Sequence, residues 1–176
     1  MITFKTNEEI ELMAEGGKIL RQVVDKVAAA AKEGVSLKEL DRLAETLIRD
    51  AGGEPAFLGY CPSGAKKPYG ASICTSVNEV IVHGLPSSYQ LKSGDVLKID
   101  LGLLYKGYYT DTAVTVGIGQ IFGEAQKLIK VTKEALNLAL KECRPGKHLG
   151  DIGFVVNRHV TQNGFSVAKN LTGHGI

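Results

Sequence analysis

Asp100 and Asp111 are the residues whose type and spacing point most directly to chemistry. They stand in the stretch from Gly94 to Gly117, where Val96 to Leu104 and Tyr108 to Val116 are rich in β-branched, aromatic and aliphatic residues. This pattern predicts a β-hairpin with Lys106-Gly107 as a two-residue turn, Gly107 taking the positive φ. With that turn Tyr105 faces Tyr108, Asp100 lies opposite Ala113 and Asp111 lies opposite Gly102. Both carboxylates then share one face as diagonal neighbours roughly 5–8 Å apart, a separation that one or two cations can bridge. Like charges so close among apolar neighbours repel, and one pKa rises unless a cation neutralises them. The competing reading is an edge hairpin whose aspartate face is simply wet, an ordinary guard against edge-to-edge pairing. A three-residue turn would move Asp111 to the other face and end the metal argument.

Two histidines belong beside that pair. His83 closes Asn78-Glu-Val-Ile-Val-His83 ahead of a Gly/Pro turn, so a strand over Val80 to His83 would project its ring from the end of a sheet. An imidazole there can donate to a substrate amide or carry protons, and the plain alternative is a turn histidine bonded to nearby backbone. His174 sits in Thr172-Gly-His-Gly-Ile176, where flanking glycines permit the close approach that suits a metal ligand; the alternative is a loop end. His148, ahead of a helix start, and His159, on a helix, are assigned to structure. Gly117-Ile-Gly119 resembles a dinucleotide loop, but the third glycine comes late and the preceding strand belongs to an antiparallel hairpin, so a nucleotide site is rejected. Ser63 and Ser72 lack a nucleophile-elbow setting.

The elements that position these residues are legible in order. Thr6-Asn-Glu-Glu9 is a capping box, followed by apolar positions at helical spacing from Ile10 to Ala31 until Gly34. Ser36-Leu-Lys-Glu39 is a second, and its helix runs to Gly52-Gly53. Residues 54 to 71, with Pro55, Pro62 and Pro68, read as a long loop that rims a site. A short strand follows at Ala71 to Ser76. After the hairpin, Ile121 to Leu140 is helical up to Arg144-Pro145-Gly146, a further helix runs from about Gly150 to Gln162, and Phe165 to Lys169 reads as a strand. Sliding the chain on itself by 112 places Gly34 on Gly146, Leu40 on Ile152, Ile48 on Val160 and Gly52 on Gly164, so the helix–turn–helix unit recurs. The first copy spans roughly residues 6 to 118. The second, residues 119 to 176, has no second hairpin.

Composition narrows the classes. The 176 residues, 44% hydrophobic with 21 basic against 19 acidic side chains, suit a globular protein with one good core and no excess of positive charge for nucleic acid. The longest apolar run, Val27 to Ala31, cannot span a bilayer, and the N-terminus has no signal-like apolar region, so a cytoplasmic protein without a membrane partner is expected. No nucleic-acid partner is expected either, and the chain is expected to be a monomer. Cys61, Cys74 and Cys143 show no paired spacing and imply reduced thiols rather than disulfides or a zinc knuckle.

Taken together, Asn7-Glu-Glu-Ile-Glu-Leu-Met13, Asn78-Glu-Val-Ile-Val-His83-Gly-Leu-Pro86, Asp95-Val-Leu-Lys-Ile-Asp100, Tyr109-Thr-Asp111-Thr and Gly173-His174-Gly-Ile176 resemble the bacterial type I methionine aminopeptidases, in the family's order across nearly the whole chain. The resemblance implies the pita-bread α/β (α+β) fold, a single catalytic domain over 1–176 built from two pseudo-symmetric halves, the second incomplete. It implies that Asp100, Asp111 and His174 are ligands of a two-metal centre (Co, Mn, Fe, Zn or Ni). His83 would contact the substrate near the scissile amide, and Tyr60, Cys74 and Phe57 would line the pocket for the methionine side chain. The segment from Tyr60 to Cys74 is longer than the family's, through an insertion around Pro62-Ser-Gly-Ala-Lys-Lys67. In such enzymes two divalent ions lower the pKa of a bound water towards about 7 and polarise the peptide carbonyl, and metal hydroxide attacks the first peptide bond. The substrate implied is the N-terminal methionine of nascent polypeptides near the ribosome. Two glutamates and a further histidine that complete the family's centre lie beyond this chain, so a truncated member is expected; the alternative is a pita-bread binding module without catalysis.

Overall fold

The computed structural model describes residues 4–176, which divide into a first compact unit reaching Ile121 and a second spanning Phe122–Gly175. In the first, helix α1 (Asn7–Ala30) begins at the predicted capping box: the Thr6 hydroxyl accepts the Glu9 N–H at 3.2 Å and the Glu9 carboxylate accepts the Thr6 N–H at 2.7 Å. Helix α2 (Leu37–Asp50) starts in the same way from Ser36 and Glu39. Each box satisfies amides that a helix end leaves orphaned, worth about 1 kcal/mol per cap. Gly34 and Gly52 then turn the chain at φ of 85° and 78°, which end helices readily only at glycine.

The sheet is antiparallel throughout and centred on β3 (Val96–Tyr105). Along one edge β3 pairs with β4 (Tyr108–Gly117) over its full length; the other edge is shared by β2 (Ile73–Val77) and the two-residue β1 (Glu54–Pro55). Strand alternation sends Leu97, Ile99, Leu101 and Leu103 to one face, all fully buried against Leu20, Val24 and Val27 of α1 and Leu40, Ala44 and Ile48 of α2. Truncating any one of those leucines would cost about 2–5 kcal/mol, because a close-packed core collapses little around a cavity. The opposite face carries Lys98, Asp100 and Gly102, so the core that anchors β3 also fixes which way its aspartate points.

The second unit holds α3 (Gly123–Glu142) and α4 (Leu149–Gln162). Its helix pair repeats the first: Leu37 and Leu149 begin, and Asp50 and Gln162 end, helices of 14 residues, with Gly146 and Gly164 at φ 85° where Gly34 and Gly52 stand. His148 and His159 are structural here. The His148 N–H donates to the Asp151 carboxylate at 2.9 Å at the start of α4, and His159 Nε2 lies 3.2 Å from Glu134, tying α4 to α3.

Three expected elements differ. Glu54–Pro55, read as loop, pairs with Leu104 and Leu103 as β1. Val80 to His83 is not a strand, because Asn78 and His83 adopt φ of 51° and 58°, incompatible with a pleated run. Phe165 to Lys169 is also irregular. Phe165 instead turns back on α4, its N–H donating to the Val160 carbonyl at 3.1 Å, and packs beside Val131, Ala135 and Val160. A β-prone run becomes a strand only where a neighbour offers a ladder to join.

Candidate active site

The hairpin has the register that its residue types predict. Tyr105 pairs with Tyr108 across Lys106-Gly107, Asp100 with Ala113 and Asp111 with Gly102. Lys106 and Gly107 both take positive φ, 49° and 86°, the primed turn whose twist matches two paired strands. On the other side of β3, Cys74 pairs directly with Asp100. Paired residues point the same way, so Cys74, Asp100, Ala113, Gly102 and Asp111 line a single face. Asp100 and Cys74 are at least half-buried there, while Asp111 is exposed.

Phe57 reaches this face from the loop after β1. The Ala56 N–H donates to the Gly102 carbonyl at 3.1 Å, and a Cβ placed on Gly102 would lie 2.9 Å from a ring carbon of Phe57. Glycine at 102 therefore admits the aromatic ring beside Asp111, a close approach that alanine would oppose. The rest of the loop is folded rather than loose: Gly59 N–H donates to the Tyr69 carbonyl at 2.8 Å and Tyr69 N–H to the Tyr60 carbonyl at 2.7 Å. Tyr60 itself is 62% exposed. Tyr69 sends its hydroxyl to the Ile73 and Gly84 carbonyls, at 3.0 and 3.3 Å, linking this loop to the one that carries His83.

Electrostatics on this face favour a cation. Burial pushes the Cys74 thiol up, and the charges of Asp100, Asp111 and Asp41 push the same way against a hydrogen bond with Tyr69 that lowers it. The thiol stays protonated at neutral pH and is a poor ligand, leaving carboxylate oxygens as the donors. Burial likewise raises the Tyr69 phenol well above its usual range, the neighbouring thiol adding to the effect. Two carboxylates on one face, with the small residues Ala113 and Gly102 opposite them across the hairpin, fit a hard divalent ion. Among the described residues no group of three or more His, Cys, Asp and Glu side chains is gathered as a metal cluster. His174 lies near the end of the second unit, exposed, its Nδ1 3.1 Å from the Gly175 carbonyl. His83 is exposed, in a loop rather than at a strand end.

Three polar residues that shape this region escape the sequence. Asp41, on α2, accepts the Ser72 and Ile73 N–H groups at 2.8 and 3.1 Å and so sets where β2 begins; burial raises its carboxyl despite those bonds. Tyr69 and Asp95 act across gaps in sequence. Only Asp95, in a Ser-Gly-Asp turn just ahead of β3, carries a local signal.

Residues 11–176 match metallopeptidase family M24, and the chain belongs to that family. Relatives in sequence include methionine aminopeptidases. That of Clostridium perfringens is 39% identical over 178 residues, covering 100% of this chain and 68% of its own length, and methionine aminopeptidase 1 of Bacillus subtilis is 39% identical over 176 residues with the same coverage. The crystal structure of methionine aminopeptidase from Thermotoga maritima matches with a TM-score of 0.94 at 35% identity, over 100% of this chain and 69% of that one. The prolidase from Pyrococcus furiosus, 23% identical with a TM-score of 0.77 over 91% of this chain and 44% of its own, shares the fold. The pita-bread fold expected from the motifs is thus the fold of this chain, which spans about two thirds of the length of the methionine aminopeptidases it matches. No helix among the described residues is long and apolar enough to cross a membrane.

Proposed function

We propose that this chain carries the first part of a methionine aminopeptidase active centre and acts in removing N-terminal methionine from nascent polypeptides in the cytoplasm, as a monomer. Asp100 and Asp111 would hold two divalent ions, with His174 as a further ligand. When bound, such ions activate water and polarise a carbonyl. The protein's own residues supply the rest. Asp100 is aimed by the buried face of β3, and the even-length turn sets Asp111 of β4 on the same side, so little reorganisation is needed for a cation to be held. Phe57, Cys74 and Tyr60 would present an apolar, polarizable wall to a thioether side chain. Exposed His83 would donate a hydrogen bond to the substrate beside the scissile amide.

The observation that carries this reading is the shared face of Cys74, Asp100 and Asp111 with Phe57 beside it, in a chain of a metallopeptidase family. The test is release of free methionine from a Met-Ala-Ser peptide with Mn²⁺ or Co²⁺, by the 176-residue chain and by a form lengthened to the relatives' extent. Release by the longer form supports the reading. Its absence from both, with Mn²⁺ still bound, would leave a binding module. His83→Ala should keep the metal and lose roughly 10²–10⁴-fold in turnover.

A further inference from the structure

His83 stands in a left-handed backbone conformation, φ 58°, uncommon for any residue but glycine. The loop Glu79–His83 is gripped at both ends. At its far end Gly84 is pressed onto β2: the Ser76 hydroxyl accepts the Gly84 N–H at 3.0 Å, and the Gly84 carbonyl accepts the Thr75 N–H at 2.7 Å. The fit admits no side chain, since a Cβ on Gly84 would collide with the Thr75 carbonyl and lie 2.9 Å from the Ser76 Cα. Ser76 is 2% exposed, a buried hydroxyl whose bond goes to the loop rather than to its own sheet.

At the near end every polar group of Asn78 is engaged. Its N–H and Oδ1 pair with the carbonyl and N–H of Val96 at 2.9 Å each, its Nδ2 donates to Asp95 at 2.9 Å, and its carbonyl accepts Lys98 Nζ at 2.6 Å. Asp95 in turn accepts the Tyr89 hydroxyl and the Lys92 N–H, both at 2.9 Å. Asn78 is itself left-handed, φ 51°, which asparagine tolerates better than most residues.

We infer that Ser76 and Asn78 are positioning residues that clamp the two ends of Glu79–His83 onto β2 and β3 and thereby set where the His83 imidazole stands. The inference rests on the reading of His83 as a substrate-contacting group. Two substitutions probe it: Ser76→Ala removes the acceptor, and Asn78→Gly removes the side-chain ties while accepting the positive φ. In the 176-residue chain, each should shift the His83 ring resonances with His159 unmoved, and Ser76→Ala should speed Gly84 N–H exchange by about 10-fold. In the longer form used for the peptide assay, Ser76→Ala should lower kcat by about 10-fold with KM within about twofold, and should cost nothing further in a His83→Ala background. A His83 ring unmoved by both substitutions, or an equal kcat loss in both backgrounds, overturns the clamp. Normal turnover by His83→Ala overturns the site reading instead, and the ring resonances still decide the clamp.

Discussion

The two helix pairs of this chain share periodicity, glycine stops and a second helix of 14 residues, yet they end in different environments. In the first, Leu20, Val24, Val27, Leu40, Ala44 and Ile48 are each no more than 1% exposed, pressed against four strand residues of β3. In the second, the buried set centres on Val131, Ala135 and Val160, while Leu128, Leu136 and Leu140 are 46%, 59% and 59% exposed. The same apolar stripe is a core in one case and a surface in the other. An amphipathic stripe makes a helix stable only in proportion to the apolar area taken from water, at about 25 cal/mol per Å², and the sheet provides that area in the first unit.

If the first unit is both the rigid core and the chemical face, substitutions should separate the two roles. The largest effect is expected from Asp111→Asn in the peptide assay: a fall of at least about 10³-fold in turnover, equivalent to several kcal/mol of lost metal assistance, with almost no change in melting temperature. A melting temperature that falls with activity would make Asp111 a structural residue. Next, Ile99→Ala, on the buried side of the same strand, should cost about 2–5 kcal/mol in a urea titration. A cost below about 1 kcal/mol would show that the sheet does not anchor the helices.

Smaller effects sharpen the contrast. Asp95 is buried, which opposes its ionisation, but the Lys92 N–H, the Asn78 amide and the Tyr89 hydroxyl overcome this and hold its carboxyl below the ordinary 3.8. A folded pKa lower than the unfolded one means that its stabilisation is present above about pH 3.8 and is lost as pH falls through the lower folded value. The stability gap between the natural protein and Asp95→Asn should therefore narrow below that pH, and a gap that is constant from pH 7 to pH 3 would remove Asp95 from the ledger of acid sensitivity. Smallest of all, Leu136→Ala in the second unit should change stability by less than about 0.5 kcal/mol, because its side chain is already in water. A larger loss would mean that this face is covered in solution.

What could be read directly were features decided by neighbours in sequence. The capping boxes at Thr6 and Ser36, the glycine stops and the Lys106-Gly107 turn depend on a few adjacent dihedrals and hydrogen bonds. The turn alone places Asp100 and Asp111 on a common face, since strand alternation has period two. Two of the three misreadings share one cause. Val80 to His83 and Phe165 to Lys169 are β-prone by composition, but a strand requires a partner, and neither the clamp on Asn78 and Gly84 nor the return of Phe165 onto α4 is visible from local residue types.

The sequence by itself thus determined the helices, the hairpin and the direction of its two aspartates, because these follow from local geometry and from the period of the apolar pattern. Tertiary structure alone decided that Cys74 stands against Asp100, that Phe57 enters beside Gly102, and that Ser76 and Asn78 hold the loop of His83. Each of these joins segments whose spacing along the chain carries no period to read. Their pairing is set by which buried polar groups find partners once the β3 core has closed, a choice made by packing and hydrogen-bond satisfaction rather than by propensity.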